Sequence, residues 1–429
     1  MSPVRAVLRF LFPLFCIVVG TGGVHAGQVI YNVRDSGAVG DGKTNDTAAI
    51  QKAIDAAAGA GGGEVIVPAG TYSTGSLELK SHVTLDLAAG AVIHGDGVAT
   101  DYPLVQARWE GLQHQCRQAL IFANDAEDIA ITGSGSIQGD GKVGKLRGPR
   151  GPTLFEPTNC RNVRVTGVTV GNDGVWTLHP TFCQDVTISN VTIDSVGGNS
   201  DGIDPDSCQG VTIDHCTFSA GDDDIAIKSG KGQEGVKIGK PTADISVTDC
   251  TFIKGHAGVA MGSELSGGIS GVKIANCTFS GVKEAIYMKS APGRAGYVRD
   301  VHANHLVVTD VPLLVILTTY HANPDAQGVP GVAGLTDFGG ISISDVKADS
   351  KKTLVKVEAT PEKPVDGLTL TGIAGSCRDG FVISNAKNVV LKDIKLDGLK
   401  GPALYTQNVQ GTGLDGAAPY VPVTVTKSP

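Results

Sequence analysis

The 429-residue sequence is poor in aromatic and charged residues, which make up 5% and 18% of the chain. Glycine, in contrast, occurs 59 times, close to double its usual share of about 7%. A large helical protein needs more charged residues and far less glycine, so this composition excludes a helix bundle. Disorder is excluded as well, because 41% of the residues are hydrophobic. The composition therefore favours a β-rich chain with many tight turns.

Long hydrophobic runs are missing after the first residues. Arg5 and Arg9 precede a short apolar run that ends in small residues up to Ala26, an order typical of a cleavable secretory signal peptide. We therefore predict a signal peptide at 1–26 and export to the periplasm or the extracellular space. The run is short for a membrane anchor, so no membrane partner is expected. Removal of the two arginines takes the net charge from −8 to −10, which argues against nucleic-acid binding.

The sequence also lacks any Cys-x-x-Cys pair, so its nine cysteines give little support for a zinc site. Cys16 falls within the predicted signal peptide. Six of the others occupy equivalent places in repeated phrases: Cys160, Cys183 and Cys208 in one set, Cys216, Cys250 and Cys277 in the other. Export permits disulfides, but cysteines at one repeat position can also stack as small hydrophobic residues. We expect mostly stacked thiols with one or two disulfides, whose connectivity the spacing leaves open.

Short β-type phrases such as Val186-Thr187-Ile188 recur along the chain, at steps of 23, 25, 34 and 27 residues between positions 163 and 272. Such periods are typical of solenoids and propellers, and a propeller blade needs about 40 residues or more. We therefore predict an all-β fold, a single-stranded parallel β-helix of about ten coils that forms one catalytic domain from 27 to 429. The segment 47–58 after Asp46 is predicted to be a short helix that caps the N-terminal end.

The densest set of polar residues lies between positions 199 and 294. Its main members are Asp201, the acids at 222–224, His256 and Lys289, separated by 21 residues in the first step and by 33 in the next two. Each step is about one coil, so these side chains should form one column with layers about 4.8 Å apart. Paired carboxylates beside a cation are what cleavage of a glycosidic bond to an acidic sugar requires.

Turn formation is the simpler explanation for some of these acids, because Asp hydrogen-bonds its own backbone in β-helix turns. We assign that role to Asp204, Asp206 and Asp214. Three consecutive acids at 222–224 are harder to explain, since they repel one another unless a cation, a ligand or a shared proton compensates. Residues 194–224 hold eight acids and no Lys or Arg, whereas 225–299 hold ten Lys or Arg and five acids. This junction suits a polyanionic substrate.

The phrases Asn-Ser-Asp-Gly-Ile-Asp, Gly-Asp-Asp, Gly-His-Ala-Gly and the lysine of Tyr-Met-Lys resemble the four signatures of polygalacturonases, the pectin hydrolases of glycoside hydrolase family 28. Other phrases of the family, such as Val-Pro-Ala-Gly-Thr-Tyr and Trp-Thr-Leu-His-Pro, occur in order over most of residues 27–300. The resemblance implies a right-handed parallel β-helix. It also implies inverting hydrolysis of α-galacturonosyl linkages in an acidic plant cell-wall polysaccharide, without metal or cofactor. We further expect a monomer.

The resemblance also implies residue roles by position. Asp222 would be the general acid, Asp201 and Asp223 would hold and activate the water, and His256 would support the protonation of the acid. Substrate contacts would come from six residues: His179, Asn199, Lys228, Tyr287, Lys289 and Arg294. Carboxylates one coil apart would by spacing suggest a retaining enzyme, since inverting enzymes need roughly 6.5–9.5 Å. The family inverts, and we follow the family here.

Tyr287 departs from the family, which has arginine at this position, whereas Ser200 and Ala257 are milder changes. Arginine makes a two-pronged contact to a carboxylate that a phenol cannot make, although tyrosine can stack on a sugar. Rhamnogalacturonan or a substituted galacturonan is therefore an alternative to smooth galacturonan, unless Arg294 replaces the missing contact. Two other functions stay open, a non-catalytic polysaccharide-binding β-helix and a calcium-dependent lyase of the pectate-lyase type.

Overall fold

Parallel β-strands dominate the computed structural model, which describes residues 29–141, 143, 148–171, 174–321 and 334–421. The predicted signal peptide lies outside the described residues. The strands form three parallel ladders, named here face A, face B and the site face. Each circuit of the chain adds one strand or bridge to each ladder, so the fold is a parallel β-helix, as predicted.

Face A is the longest ladder, with ten strands from residue 127 onward, three before it, and the end of Leu404–Thr412 as a last level. Its strands are Ile30–Asn32, Gly63–Val67, Val83–Leu87, Glu127–Gly133, Arg161–Thr166, Gln184–Ser189, Gln209–Asp214, Thr242–Thr248, Ile269–Ala275, Tyr297–Thr309, Asp337–Asp349, Val365–Ser376 and Phe381–Lys392.

Face B follows face A after a tight turn in each coil. Its strands are Asp41–Asn45, Gly70–Thr74, Ala91–Gly95, Ser136–Gln138, Thr169–Gly171, Thr192–Asp194, Thr217–Ser219, Thr251–Met261, Thr278–Ser280 and Lys395–Asp397. Between the last two, the second halves of the long face-A strands continue the ladder.

The site face closes each circuit. Its strands are Leu77–Glu78, Ile121–Asn124, Phe155–Thr158, Ile225–Ile227, Val282–Lys289, Leu313–Thr318, Val355–Glu358, Leu404–Thr412 and Ala418–Pro419. The ends of Thr251–Met261 and the start of Phe381–Lys392 complete the ladder. Single bridges at Leu178 and Ile203 connect the Phe155 level to the Ile225 level. An antiparallel hairpin, Leu104–Trp109 with Leu112–Arg117, lies outside the ladders.

The helix Thr47–Gly59 lies at the N-terminal end of the β-helix, as predicted, and buries Ile50, Ala53, Ile54 and Ala57. Asp46 precedes it, but its carboxylate accepts hydrogen bonds from the amides of Val39 and Gly40 at 2.7 and 3.0 Å instead of capping the helix. Two shorter helical segments are Ala99–Asp101 and Gly232–Ile238. Among the described residues, no helix is long and apolar enough to cross a membrane.

Side chains that repeat from coil to coil stack inside the β-helix. The rings of Phe218, Phe252 and Phe279 lie parallel, with centroids 4.9 and 4.5 Å apart, close to the spacing of neighbouring strands. All three rings are fully buried. Because Phe252 packs between the two other rings, it contributes most to the stack.

Phe252→Ala is therefore expected to lower the free energy of unfolding by about 3–5 kcal/mol, the usual cost of a large cavity in a core. The neighbouring Ile253 is 49% exposed, so Ile253→Ala is a matched control expected to cost under about 1 kcal/mol. Chemical denaturation followed by circular dichroism measures both. Equal losses in the two variants would contradict this account of the core.

Within the part of the chain that the structure describes, the cysteines are stacked thiols and the expected one or two disulfides are absent. All eight cysteines among the described residues are buried and unpaired. The thiols donate hydrogen bonds to backbone carbonyl oxygens. For example, Cys183 Sγ lies 3.3 Å from the Pro157 oxygen and Cys250 Sγ lies 3.1 Å from the Thr248 oxygen. Side chains in register one coil apart point in the same direction, whereas a disulfide needs its two Cβ–S bonds turned towards each other. The repeat position therefore favours separate thiols.

Candidate active site

The site face carries alternating core and outward side chains, so outward residues of successive coils form columns. One column, here the neutral column, consists of Ala226, Ala260, Tyr287 and Ile316. Charged side chains lie on both sides of it. Lys228 and Lys289 lie on one side, two residues further along their strands than Ala226 and Tyr287. The acids predicted from the sequence lie on the opposite side of the column. The site is thus one patch of adjacent outward positions.

Asp223 lies at the centre of this patch. Its Oδ2 accepts a hydrogen bond from Lys289 Nζ at 2.6 Å, and its Oδ1 lies 3.2 Å from His256 Nδ1 and 3.1 Å from the amide of Ala257. Burial opposes ionisation, but Lys289 and His256 outweigh it and hold the pKa of Asp223 well below its usual range. Asp223 is therefore a carboxylate at any working pH.

Asp222, the preceding residue, differs from Asp223 in its exposure and in the direction of its pKa shift. Its side chain is 34% exposed, and its Oδ1 lies 3.8 Å from His256 Nδ1. Partial burial and the negative charge of Asp223 raise the pKa of Asp222 above its usual value. The hydrogen bond to Asp223 raises the pKa of His256 as well. Two neighbouring carboxyl groups thus differ in affinity for a proton, as a general acid and a general base must.

Asp224 completes the run of three acids but lies outside the site. It is fully buried, and its Oδ1 accepts a hydrogen bond from the amide of Ala220 at 3.2 Å. Burial raises its pKa well above the usual value, so the group is neutral. Repulsion within 222–224 is avoided because only Asp223 carries a firm negative charge, and Lys289 compensates for it.

Asp201 lies beside Asp223, with Lys228 Nζ 3.5 Å from its Oδ2. Burial raises the pKa of Asp201 to about 7, which Lys228 partly offsets and the charges of Asp223 and Asp222 reinforce. Lys228 is also 3.4 Å from Asp204 and 3.6 Å from Glu264. A buried ammonium therefore holds the acids on this side of the patch.

The turn role assigned to Asp204 and Asp206 is wrong, because both are fully buried on the site face. Asp204 pairs with Lys228, and Asp206 pairs with Arg108 at 2.9 Å. Buried carboxylates are tolerated only with such partners. Asp214, in contrast, lies at the end of a face-A strand, where its carboxylate accepts a hydrogen bond from Thr248 at 2.7 Å.

The position of Lys289 differs from the one predicted by counting residues, because the coil after His256 is shorter than that count assumed. Ala257 pairs with Glu284, so this coil has 27 residues and not the 33 that separate His256 from Lys289. Lys289 therefore does not lie directly below His256. Its long side chain reaches back to Asp223, because the lysine stem spans the intervening coil. The predicted neighbours do meet, but side-chain reach and not strand register brings the ammonium there.

The remaining predicted substrate residues differ in exposure. Asn199 is exposed in a turn that precedes Asp201. His179 is fully buried, where its Nε2 lies 3.2 Å from Thr181 Oγ1 and its ring meets that of Trp176 edge-on at 4.9 Å. A sugar cannot touch a buried ring, so His179 is not accessible to substrate in this structure. Arg294 is 3% exposed and already engages other groups of the protein.

Three residues of the site were not identified from the sequence. Glu264 pairs with Lys228, and its carboxylate is held near a pKa of about 2 by Lys228 and Lys231 against the effect of burial. Glu284 Oε2 lies 3.7 Å from His256 Nε2, and His321 Nδ1 lies 3.0 Å from the hydroxyl of Tyr287. Glu284 lies one coil after Ala257. The sequence could have indicated this position only if the true coil lengths had been known.

Asp222, Asp223 and His256 place ligand atoms within 4.8 Å of one another, so this group could hold a metal ion. Lys289 Nζ, however, already lies 2.6 Å from Asp223 Oδ2. An ammonium at that distance competes with a cation for the same oxygen. The donor set therefore fits a metal poorly, and the residues provide the required charges without one.

A parallel β-helix with paired acids, an imidazole and two lysines on one face defines a polysaccharide-active enzyme. The chain belongs to the glycosyl hydrolases family 28, whose sequence profile matches residues 62–394. It is therefore a glycosidase of the polygalacturonase type, and pectin is the substrate that the family implies.

Individual relatives agree with this assignment. A probable polygalacturonase from Vitis vinifera is 30% identical over 359 residues, which cover 79% of this chain and 72% of the relative. The hyperthermoactive exopolygalacturonase from Thermotoga maritima is 29% identical with a TM-score of 0.73, over 89% of this chain and 92% of the other. A family 28 exopolygalacturonase from Yersinia enterocolitica shares the fold, with a TM-score of 0.83 at 23% identity over 92% and 80% of the two chains. The predicted right-handed parallel β-helix is confirmed.

Proposed function

We propose that this protein is a secreted enzyme that hydrolyses α-galacturonosyl linkages in pectin with inversion and without a metal ion. One observation carries the proposal: Asp222 and Asp223 are adjacent, yet their surroundings raise the pKa of one and lower that of the other. A binding protein has no need of such a pair. An inverting glycosidase requires a protonated and an ionised carboxyl group at the same linkage.

The proposed mechanism assigns one step to each carboxyl group. Asp222 donates its proton to the glycosidic oxygen, and the bond from that oxygen to the anomeric carbon breaks. A water molecule held by Asp223 and Asp201 attacks the anomeric carbon from the opposite face and gives its proton to this pair. The new hydroxyl therefore has the inverted configuration. Asp222 regains a proton from solvent, because its side chain is partly exposed.

The cations keep these acids in the required states. Lys289 stabilises the charge of Asp223, and Lys228 lies close enough to stabilise that of Asp201. His256 lies between Asp222 and Asp223, so its positive charge favours the ionised acid that remains once Asp222 has given up its proton. Bound uronate groups would add negative charge, which the same cations would offset. Both lysines therefore act on the acids and on the substrate.

Activity is expected to survive strong chelation, with kcat/KM on polygalacturonate unchanged within about twofold, because no step requires a metal Lewis acid. New reducing ends measure hydrolysis, and absorbance of an unsaturated product measures elimination in the same sample. A calcium-dependent pectate lyase serves as the chelation control. Loss of activity that calcium restores, together with an unsaturated product, would instead favour the lyase alternative.

A further inference from the structure

The hairpin Leu104–Trp109 with Leu112–Arg117 lies across the site face, and its tip contacts the far edge of that face. The amide of Lys231 donates a hydrogen bond to the carbonyl oxygen of Gly111 at 3.2 Å, and Lys231 Nζ lies 3.7 Å from the Glu110 carboxylate. A Cβ atom added at position 111 would lie 2.8 Å from Lys231, so only glycine allows this close approach. The tip of the hairpin is therefore packed tightly against the site face.

The hairpin is also anchored at two points before its tip. The rings of Trp109 and Trp176 have centroids 4.1 Å apart, and Trp176 is buried. Arg108 pairs with the buried Asp206 at 2.9 Å, and its guanidinium lies 4.7 Å from the centre of the Phe182 ring. Together with the contacts of the tip, these contacts hold the hairpin across the width of the site face.

Outward positions of the site face are buried where the hairpin crosses it. The outward residues of the two coils before the catalytic acids are at most 2% exposed: His179, Thr181, Asp204 and Asp206. Outward positions on the C-terminal side of the acids, in contrast, stay partly exposed, as at Ile316 and Lys356. Over the residues that the structure describes, the hairpin thus covers the site face on the N-terminal side of the acids.

A polysaccharide bound at the acids cannot continue beneath this cover. The covered coil of Asp204 directly precedes the coil of Asp222 and Asp223, because Ile203 bridges to Ile225. Neighbouring coils are about 4.8 Å apart, so the space between the hairpin and the acids holds no more than about one or two sugar units. Asp222 and His256, which are each about one-third exposed, lead away from the hairpin. A longer chain therefore has room on that side only.

We propose that the enzyme attacks pectin at a chain end and releases one or two sugar units at a time, because the hairpin closes the site face beside the acids. Cleavage of an internal linkage would require polymer on both sides of Asp222 and Asp223. This inference rests on the proposed hydrolysis and specifies where along the polymer the same site acts.

Product analysis of the wild-type enzyme on polygalacturonate is the first test. Viscosity should fall little as reducing ends appear, and chromatography should show monomer or dimer beside the shortened polymer. An internally cleaving polygalacturonase, compared at the same number of new ends, is the control that removes most of the viscosity. Early loss of viscosity with a ladder of intermediate oligomers would overturn the inference and leave hydrolysis standing. Absence of new reducing ends from polygalacturonate and rhamnogalacturonan alike would overturn the proposed function itself.

Blocked oligogalacturonates show which chain end enters the site. One form is reduced with borohydride at its reducing end, and the other carries an unsaturated unit at its non-reducing end. One of the two forms should lose at least about tenfold in kcat/KM, since a site shaped for one chain end rejects an altered end. The other form should be cleaved like the unmodified oligomer. Normal cleavage of both forms would contradict attack at a chain end.

Removal of the hairpin tip should allow internal cleavage. Gln106 pairs with Gln115 across the hairpin, so an Asn-Gly turn can join these two residues in place of 107–114. Asp206 then loses Arg108 but gains water, because its cover is removed with its partner, and no buried charge is left unpaired. Release of intermediate oligomers relative to monomer and dimer should rise by about tenfold or more.

Two point variants complete the test. Trp109→Ala keeps the hairpin and removes the ring that packs on Trp176, so it should shift the products in the same direction by a smaller factor, about two- to fivefold. His114 is exposed on the same hairpin, and His114→Ala should keep the wild-type products. Circular dichroism checks the fold of each variant. A folded, active enzyme that lacks 107–114 and still releases monomer and dimer alone would overturn the role of the hairpin.

Discussion

Asp223→Asn is expected to lower kcat on the best pectic substrate by at least about 100-fold while leaving the fold intact, because the variant keeps the shape and loses the base. Asp222→Asn should cause a similar loss for a different reason, since an amide cannot give a proton to the leaving oxygen. Steady-state kinetics measure both, with circular dichroism as the check on folding.

The two acids can be told apart. A substrate with a good leaving group needs no proton, so it should restore much of the turnover of Asp222→Asn and little of that of Asp223→Asn. Asp224→Asn is the matched control within the same run of acids. Asp224 is buried and neutral, so an isosteric amide should cost no more than a fewfold in kcat. Near-normal turnover of either site variant would remove that residue from the catalytic set.

Lys289→Met has the second largest expected effect, a loss of about 100-fold or more in kcat/KM. Removing one partner of a buried ion pair leaves the other charge uncompensated, at a cost of about 3–5 kcal/mol. The pKa of Asp223, which Lys289 now holds low, should rise. Since the ionised form of Asp223 is the active one, the variant should lose activity at a higher pH than the wild type as the pH falls.

The pH–rate profile of kcat/KM measures this shift, because its acid limb reports the base in the free enzyme. Lys283 lies exposed on the same strand, so Lys283→Met removes an equal charge without touching Asp223. The control should keep the wild-type profile. An acid limb that stays in place in Lys289→Met would contradict Asp223 as the group that sets this limb and would point to Asp201, whose pKa is raised to about 7.

Much of the site could be predicted from spacing, because a β-helix returns to the same side of the rod after each coil. Asp201, Asp223 and His256 meet for that reason. The prediction was less accurate where coils differ in length. The coil after His256 is shorter than the distance to Lys289 suggested, so the contact of Lys289 with Asp223 depends on a side chain that crosses a coil. Glu284 and His321 were missed for the same reason.

The sequence by itself determined the fold and the residue types of the site. Repeated short β-type phrases at steps of about one coil, separated by Gly, Asn and Asp, favour stacked coils, and local preference and periodicity are properties of the chain alone. Only the tertiary structure decided which acid keeps its proton. Asp222, Asp223 and Asp224 are chemically identical in sequence, yet Asp222 is about one-third exposed, Asp223 is paired with Lys289 and Asp224 is buried away from any cation. Burial and distance to a cation set the pKa of each, and both depend on residues that lie coils away along the chain.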